Sequence, residues 1–97
     1  MERKAISPES VIEDLYNNQI SSLMDELHKT ISLKQYEYDE RWSYIIVKVK
    51  NMDYNPVVLN EVKRRYVLEG WGNIFYKVLD TNQISFQLYF PQIKTGV

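Results

Sequence analysis

Ile12, Tyr16, Ile20, Leu23, Met24, Leu27 and Ile31 recur at three- and four-residue spacing, which draws one apolar stripe along a helical cylinder. Ser7-Pro8-Glu9 stands in front of it as a start signal. Ser7 can cap the helix, Pro8 fits the first turn where its missing N–H costs nothing, and Glu9 complements the positive end of the dipole. The pattern predicts a helix over 8–33, with residues 1–7 expected to be flexible. Such a helix runs roughly 39 Å at 1.5 Å per residue, whereas a seven-residue strand spans roughly 23 Å. The first helix is therefore too long for any sheet the remaining chain can build. Either it breaks near Asn17-Asn18, since asparagine is a poor helix former, or Ile12 and Tyr16 extend past the sheet and call for a second chain. The second outcome makes Ile12, Tyr16 and Ile20 the expected contacts of a homo-oligomer.

The rest of the chain supplies one sheet. Tyr36-Glu37-Tyr38-Asp39-Glu40 reads as an acidic, aromatic connector into Tyr44–Lys50, a β-branched run whose alternation sets Ile45, Val47 and Val49 against Tyr44, Ile46, Lys48 and Lys50. Asn55-Pro56 repeats the cap-then-proline signal. Val58, Leu59, Val62 and Tyr66 give the second helix its inner side, Lys63, Arg64 and Arg65 are expected to point outward, and Gly70 supplies the left-handed residue that ends it. Asn73–Asp80 and Ile84–Phe90 follow as strands joined by Thr81-Asn82-Gln83, a hairpin connection. The expected fold class is α+β: a long N-terminal helix, then a β-α-β-β unit over 44–90 with a three-stranded mixed sheet and helices packed on it. At 97 residues the chain is a single domain.

Composition excludes several function classes. There is no cysteine, hence no thiolate nucleophile, disulfide scaffold or zinc-thiolate site, and a reducing compartment, the cytoplasm, is the expectation. The longest apolar run, Tyr44–Val47, stops at Lys48, so no membrane association is expected. Glycine occurs only at 70, 72 and 96, which excludes the phosphate-cradling loops of nucleotide enzymes. His28 is the sole histidine and has no nucleophile motif beside it. The carboxylate pairs Glu9 with Glu13 and Glu37 with Asp39 fall short of what hard cations require. No catalytic residue, cofactor or metal is expected. Gly70-Trp71-Gly72 is explained by packing: a helix stop, a ring against the last turn, and an easy entry into the next strand.

Two surpluses remain. Residues 1–43 carry a net charge of −4 and residues 44–97 one of +3; counts this small fluctuate, so the split reads most simply as adjoining polar faces. The eight tyrosines are the more informative, because tyrosine combines rigid contact area with a hydrogen-bonding tip. The second face of the sheet gathers Tyr44, Lys48, Lys50, Lys77 and Tyr89 as candidate partner-binding residues, with Ile46, Phe75, Leu79, Ser85 and Gln87 among them. The first helix is expected to cover this face, since its stripe otherwise lacks a home. If left open, the face can stack bases and hold phosphates.

The stretch Leu59-x-x-Val62-x-x-x-Tyr66-x-x-x-Gly70-Trp71, followed by Ile74-Phe75-Tyr76-Lys77-Val78 and Ile84-Ser85-Phe86-Gln87-Leu88, resembles a layout recurrent in small tailed-phage proteins. In those an N-terminal helix precedes a β-α-β-β unit whose second helix ends in Gly-Tyr or Gly-Trp before a hairpin. The resemblance spans roughly residues 44–90 and departs where Gly72-Asn73 separates the aromatic from the strand. It implies a class of roles and carries no catalytic residue. The expected function is thus a noncovalent, phage-encoded accessory or inhibitor-type protein that binds a host or viral protein in the host cytoplasm. The alternatives are a virion or assembly component and a single-stranded nucleic-acid binder; against the last stand the acidic half and the missing RNP signature.

Overall fold

The computed structural model describes residues 5–80 and 82–91, so most of the expected flexible start and Thr81 of the hairpin connection lie outside the described residues. The elements are α1 (Pro8–Ser32), β1 (Tyr36–Asp39), β2 (Tyr44–Lys50), α2 (Pro56–Leu68), β3 (Asn73–Asp80) and β4 (Gln83–Tyr89). The fold is α+β with a long N-terminal helix, as expected. The sheet, however, has four strands in the order β1-β2-β4-β3, and every neighbouring pair is antiparallel. Two corrections follow from that order. The acidic connector is a strand, because Tyr36 and Tyr38 alternate with Glu37 and Asp39 and form a hairpin against Val47–Tyr44. The sheet is also not mixed: β2 and β3 run the same way, but β4 lies between them, so the crossover through α2 skips one strand.

Local chemistry closes each helix where the sequence says it should. The Ser7 side chain accepts from the Ser10 N–H, and Asn55 Oδ1 accepts from the Val57 N–H at 2.9 Å, which satisfies one orphan donor at each N-terminus. At the C-termini, Lys34 and Gly70 adopt positive φ. Gln35 N–H then donates to the Thr30 carbonyl and Trp71 N–H to the Tyr66 carbonyl, the six-to-one bond of a Schellman cap.

The length mismatch is resolved by a bend. Tyr16 leaves helical geometry at φ −123°, ψ 21°, immediately before Asn17-Asn18, and the helix continues beyond it. The bend lets Tyr16 Oη accept from Asn55 Nδ2 at 3.4 Å and Gln19 Oε1 accept from the Asn55 N–H at 3.1 Å. The first half of α1 therefore docks on the start of α2 instead of projecting. Ile20 is 1% exposed, and Ile12 and Tyr16 are half-buried against the core. The three residues expected to hold a homo-oligomer are taken by the protein's own packing. Those left in water on this helix are Val11 and Leu15, the latter 70% exposed.

Both helices lie on one face of the sheet. Ile20, Leu23 and Leu27 of α1 and Val58, Leu59 and Val62 of α2 bury against Ile45, Val47, Val49, Ile74, Ile84, Phe86 and Leu88. The helices meet around Glu61, whose side chain is only 2% exposed. Arg64 Nε donates to Glu61 Oε2 at 2.9 Å and Arg65 Nε to Oε1 at 3.2 Å, so both guanidinium groups are tied to Glu61 while Arg64 remains exposed as expected and Arg65 is half-buried. Hydrogen bonds from Arg64, opposed by desolvation and reinforced by Arg65, hold the Glu61 carboxyl below its ordinary range. A lowered carboxylate contributes stability at neutral pH that is lost as pH falls through its folded pKa. Glu61→Gln should cost about 1–2 kcal/mol at neutral pH. The gap from wild type should close as pH drops below the ordinary carboxylate range in chemical denaturation, whereas a gap that stays constant with pH would show that the charge contributes nothing.

Candidate binding face of the sheet

With α1 and α2 on the same side, the opposite side of the sheet carries no helix among the described residues. This reverses the expectation that the first helix covers it. The stripe finds its home on β2 beside α2, and the bend at Tyr16 brings the overlong helix onto the start of α2; β1 is left uncovered, with Tyr36 and Tyr38 exposed.

Register places the face residue by residue, since directly paired residues of antiparallel strands point to the same side. One row crosses the sheet as Asp39–Tyr44–Tyr89–Asn73, the next as Glu37–Ile46–Gln87–Phe75. Further along, Lys48 and Lys77 flank Ser85, and Lys50 and Asp80 flank Gln83. All five predicted partner-binding residues, Tyr44, Lys48, Lys50, Lys77 and Tyr89, therefore share one surface. Leu79 is displaced from the expected alternation by a register shift between Val78 and Asp80, which sets Asp80 opposite Gln83.

The face divides into an aromatic end and a charged end. The Tyr44 and Tyr89 rings stand 4.9 Å apart, and Phe75 meets Tyr89 edge-on at 5.8 Å. Gln87 Nε2 donates to Tyr89 Oη at 2.9 Å, and burial together with the Asp39 carboxylate raises the Tyr44 hydroxyl above its ordinary pKa. At the other end, Lys48 and Lys77 lie two strand spacings apart, about 10 Å. Among the described residues neither they nor Lys50 enters an ion pair. The three lysines are matched in number by Glu37, Asp39 and Asp80 among the strand residues of the same face, and the Lys63 ammonium reaches over the Phe75 ring from α2, 5.6 Å from its centroid, so the surface is polarised and close to neutral.

The aromatic end opens into a cleft of about 1030 Å³ across the strand termini. Trp42 and Arg41 come from the β1–β2 turn, fixed by the Trp42 N–H donating to Asp39 Oδ1 at 3.1 Å and by the positive φ of Ser43. Gly72 closes the far side: its N–H donates to the Tyr89 carbonyl at 2.8 Å, and a Cβ there would come within 2.7 Å of the Phe90 carbonyl oxygen. That close approach supplies the reason for the second glycine around Trp71, which packs its ring 5.3 Å from Phe90. Sequence reasoning missed the cleft because the β1–β2 turn that builds half of it read as connector. The available signal was the alternation of Tyr36 and Tyr38 with acidic residues.

Elsewhere the molecule offers little for chemistry. His28 is exposed on α1, on the helix side and remote from the open face. Among the described residues no three potential metal ligands converge, and no helix is long and apolar enough to cross a membrane. Compared with protein-family models, with curated proteins and with solved structures, the chain matches none significantly.

Proposed function

We propose that the protein acts noncovalently, as an accessory or inhibitor-type protein that holds another protein against the helix-free face of its sheet. The observation that carries this reading is the composition of that face. Antiparallel sheets commonly leave one side in water, and that side is then polar along each strand. Here Tyr44, Ile46, Tyr89 and an exposed Phe75 gather at one end and charges of both signs lie beside them, a mixture suited to a protein interface with aromatic anchors and a charged surround. The partner class, a host or viral protein, follows from the resemblance to small tailed-phage proteins. No step of this reading requires a catalytic group.

Assembly into a virion would use the same face and is the second protein-binding reading. Single-stranded nucleic acid is the alternative of a different class, and charge argues against it, since the three lysines on the strands of this face are equalled in number by carboxylates and a polyanion gains little by binding there. A labelled oligothymidylate titration separates the two. Weak binding is expected at physiological salt, with a log–log salt slope no steeper than about −2, the limit for three lysines on a single strand. Submicromolar, strongly salt-sensitive affinity abolished by Lys48→Glu with Lys50→Glu would replace the protein-binding reading with the nucleic-acid one.

A further inference from the structure

The largest concentration of exposed aromatic surface surrounds the cleft at the strand termini. Trp42 is 62%, Tyr38 58%, Phe75 49% and Phe90 41% exposed. Two edge-on pairs of rings stand at the strand ends: Tyr38, on the side of the sheet that carries the helices, meets Phe90 at 6.0 Å with an interplanar angle of 76°, and Phe75, on the open side, meets Tyr89 at 82°. Perpendicular rings leave ridges and slots in place of a flat stacking platform, and slots of this kind accept the compact, rigid ring of proline.

The polar groups of the cleft are mostly donors. Asn73 Oδ1 already accepts the Ile74 N–H at 2.9 Å, which leaves its side-chain NH₂ facing outward as a donor. The Trp42 indole N–H, the Ser43 hydroxyl and the Arg41 guanidinium have no acceptor in the protein among the described residues. A polyproline II segment is their complement, because it has no internal hydrogen bonds and presents its carbonyl oxygens to the surroundings. Among the described residues Arg41 is the only charged side chain lining the cleft, so it selects a carboxylate on the occupant. Asp39 and Glu40 precede it in the same turn; they disfavour a strand carrying one phosphate per nucleotide while leaving room for a single acidic side chain.

From this complementarity we propose that the cleft is the docking slot for an acidic, proline-containing peptide segment in the polyproline II conformation, with Trp42 as its anchor and Arg41 as its carboxylate partner. The proposal rests on the protein-binding reading and deepens it, since the cleft is continuous with the open face through Phe75, Asn73 and Tyr89. Pre-ordered extended peptides lose little entropy on docking, so a shallow trough suffices for useful affinity.

The test is an NMR titration that follows the Trp42 indole resonance while adding a proline-rich peptide with a single glutamate, Pro-Pro-Pro-Glu-Pro-Pro-Pro. In parallel, the same peptide with alanine for proline, the same peptide with lysine for glutamate, and a thymidylate oligonucleotide are added. Saturable shifts localised to Trp42 and its neighbours are expected. Affinity should weaken about tenfold for either altered peptide and for Trp42→Ala or Arg41→Glu. Both substituted side chains are exposed, and a circular-dichroism melt confirms that the variants remain folded. Equal binding of the alanine peptide, no shift at Trp42, or preferential binding of the oligonucleotide would overturn the proposal. The first two results leave the open-face reading standing, because that reading is tested separately by the dependence of partner capture on Tyr44 and Tyr89 and by the dependence of oligonucleotide affinity on Lys48 and Lys50.

Discussion

Leu23→Ala should lower the unfolding free energy by about 2–5 kcal/mol, the range for removing a leucine from a packed core. Leu23 is fully buried in the cluster that joins α1 to the sheet, and the space it leaves is bounded by elements that are themselves held by α2. For a domain of this size such a loss is a large share of total stability and corresponds to a fall in melting temperature of roughly 10 °C or more. Ile46→Ala makes the informative comparison. Ile46 occupies a β2 position adjacent to buried Ile45 and Val47 but points to the other side of the sheet, where it is half-buried. Its truncation should cost about 1 kcal/mol or less. The contrast measures which face the helices cover: two similar large losses in a thermal or urea melt would mean that the face here described as open is buried as well.

Much of this architecture was legible in the residues. Ser7-Pro8 and Asn55-Pro56 marked both helix starts because proline at the first turn and an oxygen-bearing cap before it each act locally. The inward set Ile45, Val47 and Val49 and the outward set Tyr44, Ile46, Lys48 and Lys50 followed from a period of two, which needs no knowledge of neighbours. Gly70 ended α2 as expected. Lys34 performs the same left-handed turn at the end of α1, and nothing in a lysine announces it.

What escaped was tertiary. Tyr36–Asp39 has the alternation of a strand, but acidic residues are depleted in strands, and their place here depends on an edge position where they face water. Glu61 looked like one more exposed charge on a polar helix. Its burial arises only where α1 crosses α2 and two arginines close around it. α1 takes the side of the sheet that α2 occupies, packing on β2 beside it with Tyr16 bent toward Asn55, and neither the shared side nor the bend can be derived from the stripe alone. Of the candidate sites, the five open-face residues came together because strand alternation fixes sides. Ile12, Tyr16 and Ile20 did not reach a partner surface because the bend returned them to the core.

The largest functional effect should come from the tyrosine pair. Tyr44 and Tyr89 face each other across the two inner strands, β2 and β4, at the aromatic end of the open face, and a few aromatic anchors carry most of the energy of an interface. Replacing both with alanine should weaken partner binding by about 2 kcal/mol or more, at least roughly thirtyfold. The fold should survive, since neither ring lies in the core shared by the helices. Affinity capture from the cytoplasm of the producing cell, quantified by mass spectrometry, tests the central claim when three baits are compared: wild type, Tyr44→Ala with Tyr89→Ala, and Val11→Asp with Leu15→Asp on the outer side of α1. A protein retained in stoichiometric amount by the wild type and the helix variant but lost from the tyrosine variant is the predicted result; retention by the tyrosine variant, or loss with the helix variant instead, would contradict it.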